Sequence, residues 1–574
     1  MDKKNHENTK SRRDFVKTSL VGVGSLALGN MISAKEASAA KAPTRWDAEA
    51  DVVVLGFGGA GACAAIEAAK AGARVLILEK QPQKSHYSNT RMSGGIFHSP
   101  DPSGDKAALK AYAEAMFSGN NIPWKLEGEQ DQKLAEGLAE AFAAYVPDNA
   151  PFLKRIDPTY QTVSFGGFKG AAFPNFPGAK DAKYKVYGST YTGKADFNAK
   201  TKDLPKSQKM NGEAFFQVLL EGVKKSGAKI MYETAGRELL RDHSGQIIGV
   251  KAERAGKTFN CKARRSVVVT TGGYEYNLRM RRAFLEGPGV EGWGFYGSPA
   301  NTGDGIEMVA KIGGALDKVG KAASRMIAVL PVRHHGLKMG MITPAVGKPN
   351  SIVVDSFGRR YAAEHLITKD PSRYLFYKEA VHLDILKLVY PRVPSWLIFD
   401  ENLRSKRCLT YQGISTPGYD YISWSKDNMD AVKRGWIMQA DSLEKLADRI
   451  KAHPENRKLF ESANLVDAVK DYNAGCESGK DRFKRLKRTL GPVAKPPFYA
   501  IAIYPGGPNT KGGIACNASR EVVDWDGKPI PRLFTAGEIS SAFKFVYQGG
   551  GNLSECITFG RIAGKNAAAV KPWC

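Results

Sequence analysis

Four consecutive apolar side chains in Asp51-Val52-Val53-Val54-Leu55 read as a strand buried on both faces, not as one face of an amphipathic element. The run opens into Gly56-Phe57-Gly58-Gly59-Ala60-Gly61, and the Ala-rich stretch Ala62 to Ala71 then predicts a helix. A second apolar strand, Ala73 to Leu78, ends on the acid Glu79. Two more strands are expected far downstream, over Ser266 to Thr270 and over Leu533 to Thr535. Gly549-Gly550-Gly551-Asn552-Leu553 begins a helix that runs through Gly564. Between Lys106 and Lys154 the pattern is helical, with Leu134, Leu138, Phe142 and Tyr145 on one stripe. Phe165 to Pro205 is rich in Gly, Lys and aromatics without periodicity, and is expected to be a surface excursion or a substrate-side loop.

Strand, G-x-G-x-x-G, helix, strand and acid together make a dinucleotide-binding unit. Gly56 permits the tight turn, Gly58 lets the backbone approach a pyrophosphate, and Gly61 lets helix and strand touch. The helix N-terminus faces the phosphates, and Glu79, 23 residues past Gly56, is placed to bind a ribose hydroxyl. The unit alone does not separate FAD from NAD.

Composition narrows the class. The chain has 574 residues, 43% apolar and 25% charged, which fits a globular protein and excludes a disordered tail or a polytopic membrane protein. The formal charge of +26 would permit nucleic-acid binding, but no helix-turn-helix, finger or aromatic-basic platform accompanies it. A basic surface that docks an acidic partner or draws in anionic substrates is the expectation. The basic run Lys480 to Arg488 is expected to be a solvated face or part of such a surface. Cys63, Cys261, Cys408, Cys476, Cys516, Cys556 and Cys574 are scattered, with no C-x-x-C-H for haem and no spacing for zinc or an iron–sulfur cluster, so no metal site is expected.

Ser11-Arg12-Arg13-Asp14-Phe15-Val16-Lys17 resembles the twin-arginine export signal at every position. A short Gly/Ser-rich apolar run follows, too short for a membrane span, and then Ala37-Ser38-Ala39-Ala40. Residues 1–40 are therefore expected to direct a folded, cofactor-loaded enzyme to the periplasm. Their removal leaves the body near +23.

Further segments resemble the flavoproteins of the soluble fumarate reductase and 3-ketosteroid dehydrogenase superfamily. Ser88-Asn89-Thr90-Arg91-Met92-Ser93-Gly94-Gly95 is similar to the segment that lines the isoalloxazine ring in that group. Thr270-Thr271-Gly272-Gly273-Tyr274-Glu275-Tyr276-Asn277 looks like its Ala-Thr-Gly-Gly-Phe-x-x-Asn, and Ala300 to Gly305 follows. Ala536-Gly537-Glu538 resembles the element whose acid binds FAD hydroxyls. The resemblance spans Asp51 to Ala569 and implies an α/β fold: a Rossmann-like FAD-binding domain split by an inserted α+β capping domain. The flavin part would occupy 46–322 and 497–574, with the cap at 323–496. The implied FAD contacts are Gly56, Gly58, Gly59, Ala60, Gly61, Glu79, Lys80, Asn89, Thr90, Ser93, Gly94, Gly95, Thr271, Gly272, Gly273, Asp304, Gly537, Glu538, Asn552 and Leu553. Membrane-bound members hold FAD through a histidine at the position of Asn89, so FAD is expected to be non-covalent here, with His86 three residues earlier. The helix start at Gly551 would stabilise reduced flavin.

The chain departs from the fumarate reductases where they bind carboxylates. Asn509 stands in place of a histidine, Tyr547 in place of an arginine, and Thr343-Pro344-Ala345-Val346-Gly347 lacks the charges of their proton relay. Their Thr-Arg-Asp looks like Thr368-Lys369-Asp370, displaced by one residue. Tyr547-Gln548-Gly549-Gly550-Gly551 matches the Tyr-x-x-x-Gly of the ketosteroid branch, where the phenol and the glycine amide bind a ketone oxygen. Asn509-Thr510-Lys511-Gly512-Gly513 resembles that branch too, with Asn509 and Tyr547 at the substrate. Two donors on one oxygen stabilise an enolate. The catalytic set is therefore Tyr547 and Gly551, with a proton carrier from the cap: Tyr374, Arg373, Lys369, Arg360 or Tyr377. His334 and His335 are further candidates for substrate contact.

Hydride exchange between flavin N5 and the β-carbon of an enoate or enone is the expected reaction, as a respiratory electron sink. Desaturation of a cyclic ketone and a non-catalytic electron relay are the alternatives. No second dinucleotide fingerprint is evident, so a separate c-type cytochrome or similar carrier is the expected partner, with a small-molecule substrate, no nucleic acid and no stable membrane span.

Overall fold

The computed structural model describes residues 43–122, 132–164, 170–190, 211–367, 374–410 and 424–573. The export signal, Lys369, Arg373 and Cys574 lie outside them. Strand β1 (Ala48–Leu55), helix α1 (Gly59–Lys70) and β2 (Val75–Leu78) form as the apolar runs require. β1 is flanked on one side by β2 and on the other by β4 (Lys257–Val269), all parallel. β3 (Lys229–Met231) extends the sheet beyond β2, and β5 (Pro529–Thr535) extends it beyond β4. Val52 to Leu55 are essentially inaccessible, as a central parallel strand demands. An antiparallel hairpin, Thr234–Arg241 with Ile247–Arg254, leans on β4.

Helix α2 (Gly551–Ala569) lies against α1 so closely that side chains would not fit between them. A Cβ at Gly560 would fall 2.6 Å from the Ala60 carbonyl oxygen, and one at Gly564 would fall 2.1 Å from that of Ala64. Glycine and alanine at these positions are thus a packing requirement.

The cap is a second, antiparallel sheet. Leu337–Met341, Arg325–His334, Phe498–Gly506, Ser395–Asp400 and Ser351–Val354 neighbour one another in that order, and Met438–Ala440 also pairs with Phe498–Gly506. Phe498–Gly506 falls within the stretch that the sequence reading gives to the returning flavin part (497–574). It is instead a central strand of the cap, hydrogen-bonded on both edges, so the chain leaves the cap after Gly506. Its apolar residues, among them Ile501 and Ile503, close the cap core with Leu397 and Phe399. Leu316–Ala322 and Thr510–Ile514 pair antiparallel, so the chain enters and leaves the cap along one two-stranded ribbon.

Two local expectations change. Within 165–205, the described part is no surface excursion: Phe173 and Tyr184 are buried in the flavin-side core, and Val186–Thr190 pairs with Ile96–His98 and Gln161–Ser164. Its aromatics are spaced for burial against several elements at once, which no single period records. The basic run is not wholly solvated either. Arg485 donates to the Ser351 and Lys348 carbonyls and meets Glu364 at 3.3 Å. Arg360 holds Glu364 and Asp481 at 2.8 and 2.7 Å in the same buried cluster.

The α1–α2 contact yields a test. Gly564→Val should destabilise the protein by about 2 kcal/mol through overpacking, read as a lower thermal unfolding midpoint. An unchanged midpoint would contradict the backbone-to-backbone approach described here.

Candidate functional site

Both close helices point their N-termini at one cleft, and because Gly560 lies beside Ala60, α2 starts about 12 Å ahead of α1. The turn from β1 into α1 needs Gly56 at φ +94°, a conformation that side chains rarely adopt, and a Cβ there would lie 2.7 Å from the Thr270 carbonyl. α2 begins after Gly550, and the amides of its first turn have no partner within the helix. Between the two starts runs a cleft. Its wall passes from Glu79, Lys80 and Gln81 past Gly56 to Ala60, and on to Asn509, Asn552 and Leu553. A long ligand with a phosphate centre fits that sequence of surfaces: the α1 N-terminus and its amides in the middle, a carboxyl at one end, and the α2 N-terminus with the Asn509 and Asn552 side chains at the other.

Of the expected cofactor residues, all but Gly61, Gly94, Gly95 and Gly273 line the cleft. Gly61 lies behind it, where a Cβ would come 2.1 Å from the Gly56 carbonyl oxygen. Gly95 is drawn into the small three-stranded sheet, its carbonyl accepting from the Ser189 amide and hydroxyl at 2.9 and 2.8 Å, and Gly94 precedes it. Gly273 leaves space for carboxyls: its Cβ would lie 2.1 Å from Glu538 Oε1 and 2.9 Å from Glu275 Oε2. Phe57, Ser88, Thr234, Gly236, Ala300, Asn301, Pro508 and Cys556 also line the cleft and were not singled out. Most adjoin a recognised motif; Thr234 and Gly236 come from the hairpin, which carries no motif.

Glu79 accepts from the Phe57 and Gln81 amides, both at 2.8 Å, which fixes its carboxyl at one end of the cleft. Burial raises its pKa above the usual carboxylate range. Lys80 Nζ donates to Asp304 and Thr302 at 2.8 and 2.7 Å. His86 does not reach the cleft wall. It stacks on Phe57 at 5.4 Å, 3.7 Å from Glu79, and burial lowers its pKa to about 3. Asn89 donates to Glu538 at 2.8 Å and accepts from the Ser298 amide at 2.6 Å.

Glu538 and Glu275 form a carboxyl pair. Both approach Asn89 Nδ2, at 2.8 and 3.4 Å, and both take hydrogen bonds from Thr510. Burial, and for Glu538 the neighbouring Glu275 as well, holds both protons more tightly than usual. Glu275 was quoted in a motif but not assigned to the site.

Beyond the Asn509–Asn552 end, where Asn552 Nδ2 donates to Asn509 Oδ1 at 2.7 Å, lie two tyrosines that the sequence reading placed in one catalytic set. Tyr547 and Tyr374 meet edge to face at 4.7 Å although one comes from the flavin part and the other from the cap. Lys511 Nζ lies 4.6 Å from the Tyr547 ring centre, buried and paired with Glu555 at 2.9 Å. Arg325, a residue the sequence reading missed, reaches Tyr296 and Tyr374 hydroxyls at 3.4 and 3.5 Å. It opens a cap strand, and no motif marks it.

Other candidates fall away. The Gly551 amide, expected to share a carbonyl oxygen with Tyr547, donates to the Gln548 carbonyl at 3.0 Å. The orphan first-turn amides are therefore those of Asn552 and Leu553, which line the cleft. Arg360 is committed to Glu364 and Asp481, and Tyr377 packs on Trp293 at 5.3 Å. His334 ends a cap strand and His335 sits exposed in the turn that follows it.

The chain belongs to the FAD binding domain family, which it matches over residues 51–553. It is an FAD-dependent oxidoreductase of the fumarate reductase and ketosteroid dehydrogenase group. Digoxin reductase of Eggerthella lenta is 27% identical over 99% of this chain and 98% of its own length. Fumarate reductase (cytochrome) of Shewanella frigidimarina is 27% identical over 93% of this chain and 79% of its own. The fold is that of 3-ketosteroid delta1-dehydrogenase from Sterolibacterium denitrificans, solved with 1,4-androstadiene-3,17-dione (TM-score 0.69, 22% identity, 91% and 99% of the two chains).

The carboxyl pair makes stability depend on pH. Groups whose folded pKa is raised contribute stability below their unfolded pKa and lose it as pH rises through the folded value. The unfolding midpoint should therefore fall as pH rises above the ordinary carboxylate range toward the raised values of the pair, and Glu275→Gln should flatten that fall. An identical slope in the variant would show that the pair gains no second charge in this range.

Proposed function

We propose that the protein reduces an α,β-unsaturated carbonyl compound, an enone or enoate, bound between Tyr547 and the cap. FAD supplies the hydride donor to the β-carbon when bound. The observation that carries the reading is the meeting of Tyr547 and Tyr374 beside the start of α2, with a buried ammonium under the Tyr547 ring. The Tyr547 hydroxyl donates to the substrate carbonyl oxygen. Negative charge that develops there is stabilised by Lys511, since a charge at short range in a dry site acts far more strongly than in water.

The α-carbon then needs a proton from the other side. On the cap side Tyr374 meets the Tyr547 ring, and Arg325 can pass a proton to Tyr374 across their 3.5 Å contact. Arg373 and Lys369 remain candidates whose placement lies outside the described residues. Asn509, tied to Asn552, borders the substrate and keeps the carbonyl end in register.

The reductive direction is supported by relatives named as reductases that span nearly the whole chain. Electrons would arrive from a separate carrier, a c-type cytochrome being the proposal, because the sequence holds a single dinucleotide fingerprint. The export signal at Ser11 to Lys17 would place the enzyme in the periplasm. Desaturation of a cyclic ketone is the second reading, favoured by the ketosteroid-type Tyr547-to-Gly551 segment.

Protein reduced anaerobically with a dye should be reoxidised by enones, enoates or cinnamates, followed by recovery of the yellow flavin band. Reoxidation by none of them, with saturated ketones perturbing the oxidised flavin instead, would reverse the direction. Tyr547→Phe should lower turnover by roughly 10²-fold while leaving FAD content unchanged. Turnover near that of the parent protein would remove the phenol from the carbonyl contact.

A further inference from the structure

On the cap, residues 384 to 389 form a closed turn. Asp384 and Val389 pair across its neck, with the Asp384 amide donating to the Val389 carbonyl at 2.9 Å. Asp384 Oδ1 accepts from the Leu386 and Lys387 amides at 3.1 and 3.0 Å, which holds the turn in one shape. The tip reads Ile385-Leu386-Lys387-Leu388. Its three aliphatic side chains are 76, 91 and 77% exposed.

Single exposed leucines are ordinary; three within four positions at a turn tip are not, since such tips favour Gly, Asn, Asp and Ser. Leu388 has φ +52°, a conformation that a branched side chain resists and glycine adopts freely. The backbone therefore holds a large apolar side chain outward against its own preference. Lys387 lies at the base of the tip, its Nζ 4.2 Å from the Phe357 ring.

We propose that this tip docks the protein on an anionic membrane surface, with Ile385, Leu386 and Leu388 among the acyl chains and Lys387 at the headgroups. The tip is convex, and a bilayer receives a small apolar wedge without a matching pocket. The chain carries a formal charge of +26, which draws it to anionic lipid and opposes a second copy of itself as the occupant. Among the described residues no helix is long and apolar enough to cross a membrane, so the contact is interfacial. The inference is independent of the substrate proposed above.

The test is sedimentation of the FAD-loaded full chain with phosphatidylcholine vesicles, with and without phosphatidylglycerol. The protein should bind the anionic vesicles, and joint substitution of Ile385, Leu386 and Leu388 by Ser should weaken binding roughly tenfold or more with flavin absorbance and turnover kept. Three results would overturn the proposal. One is no binding by the parent protein, and a second is equal binding by the variant, which would mean diffuse charge alone. The third is a dimer in the parent protein, dissolved by the substitutions, without vesicle binding.

Discussion

Helices α1 and α2 aim their N-termini into one cleft because they run side by side in the same direction, with α2 reaching further along it. That arrangement depends on the contact between α1 and α2, where Gly560 and Gly564 meet the carbonyls of Ala60 and Ala64 with no room for a Cβ. Larger residues would push the helices apart by an ångström or more, and the two positive ends would no longer face the same ligand. The flavin site is thus a consequence of small residues buried well behind it.

The carboxyls around the cleft follow the same logic. A phosphate-rich ligand is drawn by the α1 N-terminus in the centre, so anionic groups around it must be held by partners. Glu79 is held by two amides, and Glu538 is paired with Glu275 so that burial favours a protonated form. Lys80 offsets Asp304. Each acid near the ligand has a partner that limits its charge, while Lys511 and Arg325 bring positive charge to the end where the substrate is proposed to bind.

The legible parts were those with local grammar. β1, α1, β2 and the start of α2 could be read because glycine spacing and apolar runs are contiguous in the chain. Motif by motif this placed most of the cleft wall. The cap was less legible: Phe498–Gly506 is as apolar as a flavin-domain strand, and nothing in its pattern records that its partners are Arg325–His334 and Ser395–Asp400. Arg325 and Glu275 were missed for a similar reason. Their roles come from residues dozens to hundreds of positions away, Tyr374 for one and Glu538 for the other. The Gly551 amide was misread because a turn bond to Gln548 depends on backbone geometry that a motif does not contain.

The contacts that hold the cap differ in kind from those that join it to the flavin part. Inside the cap, Arg360, Arg485, Glu364 and Asp481 form a buried charge cluster, and separating one such partner costs about 3–5 kcal/mol. At the seam between cap and flavin part, Tyr374 meets Tyr547 edge to face, an interaction worth about 0.5–1.5 kcal/mol. The ion pair of Arg333 with Glu291 also crosses there, with both side chains about half exposed, so water replaces it at little cost, whereas Lys338 is buried and reaches both the Glu291 carboxyl and its carbonyl. The seam also carries backbone bonds, from the Gly294 amide to the Pro505 carbonyl at 2.9 Å and from the Gly340 amide to the Phe295 carbonyl at 2.8 Å, and Leu337, Met339 and Tyr377 of the cap share a buried core with Trp293 and Phe295. With the ribbon of Leu316–Ala322 and Thr510–Ile514, through which the chain enters and leaves, these contacts keep the two parts in register. The pair proposed for catalysis, Tyr547 and Tyr374, is divided between the two parts, so the same contact that joins them would tie proton delivery to exclusion of water from the hydride path.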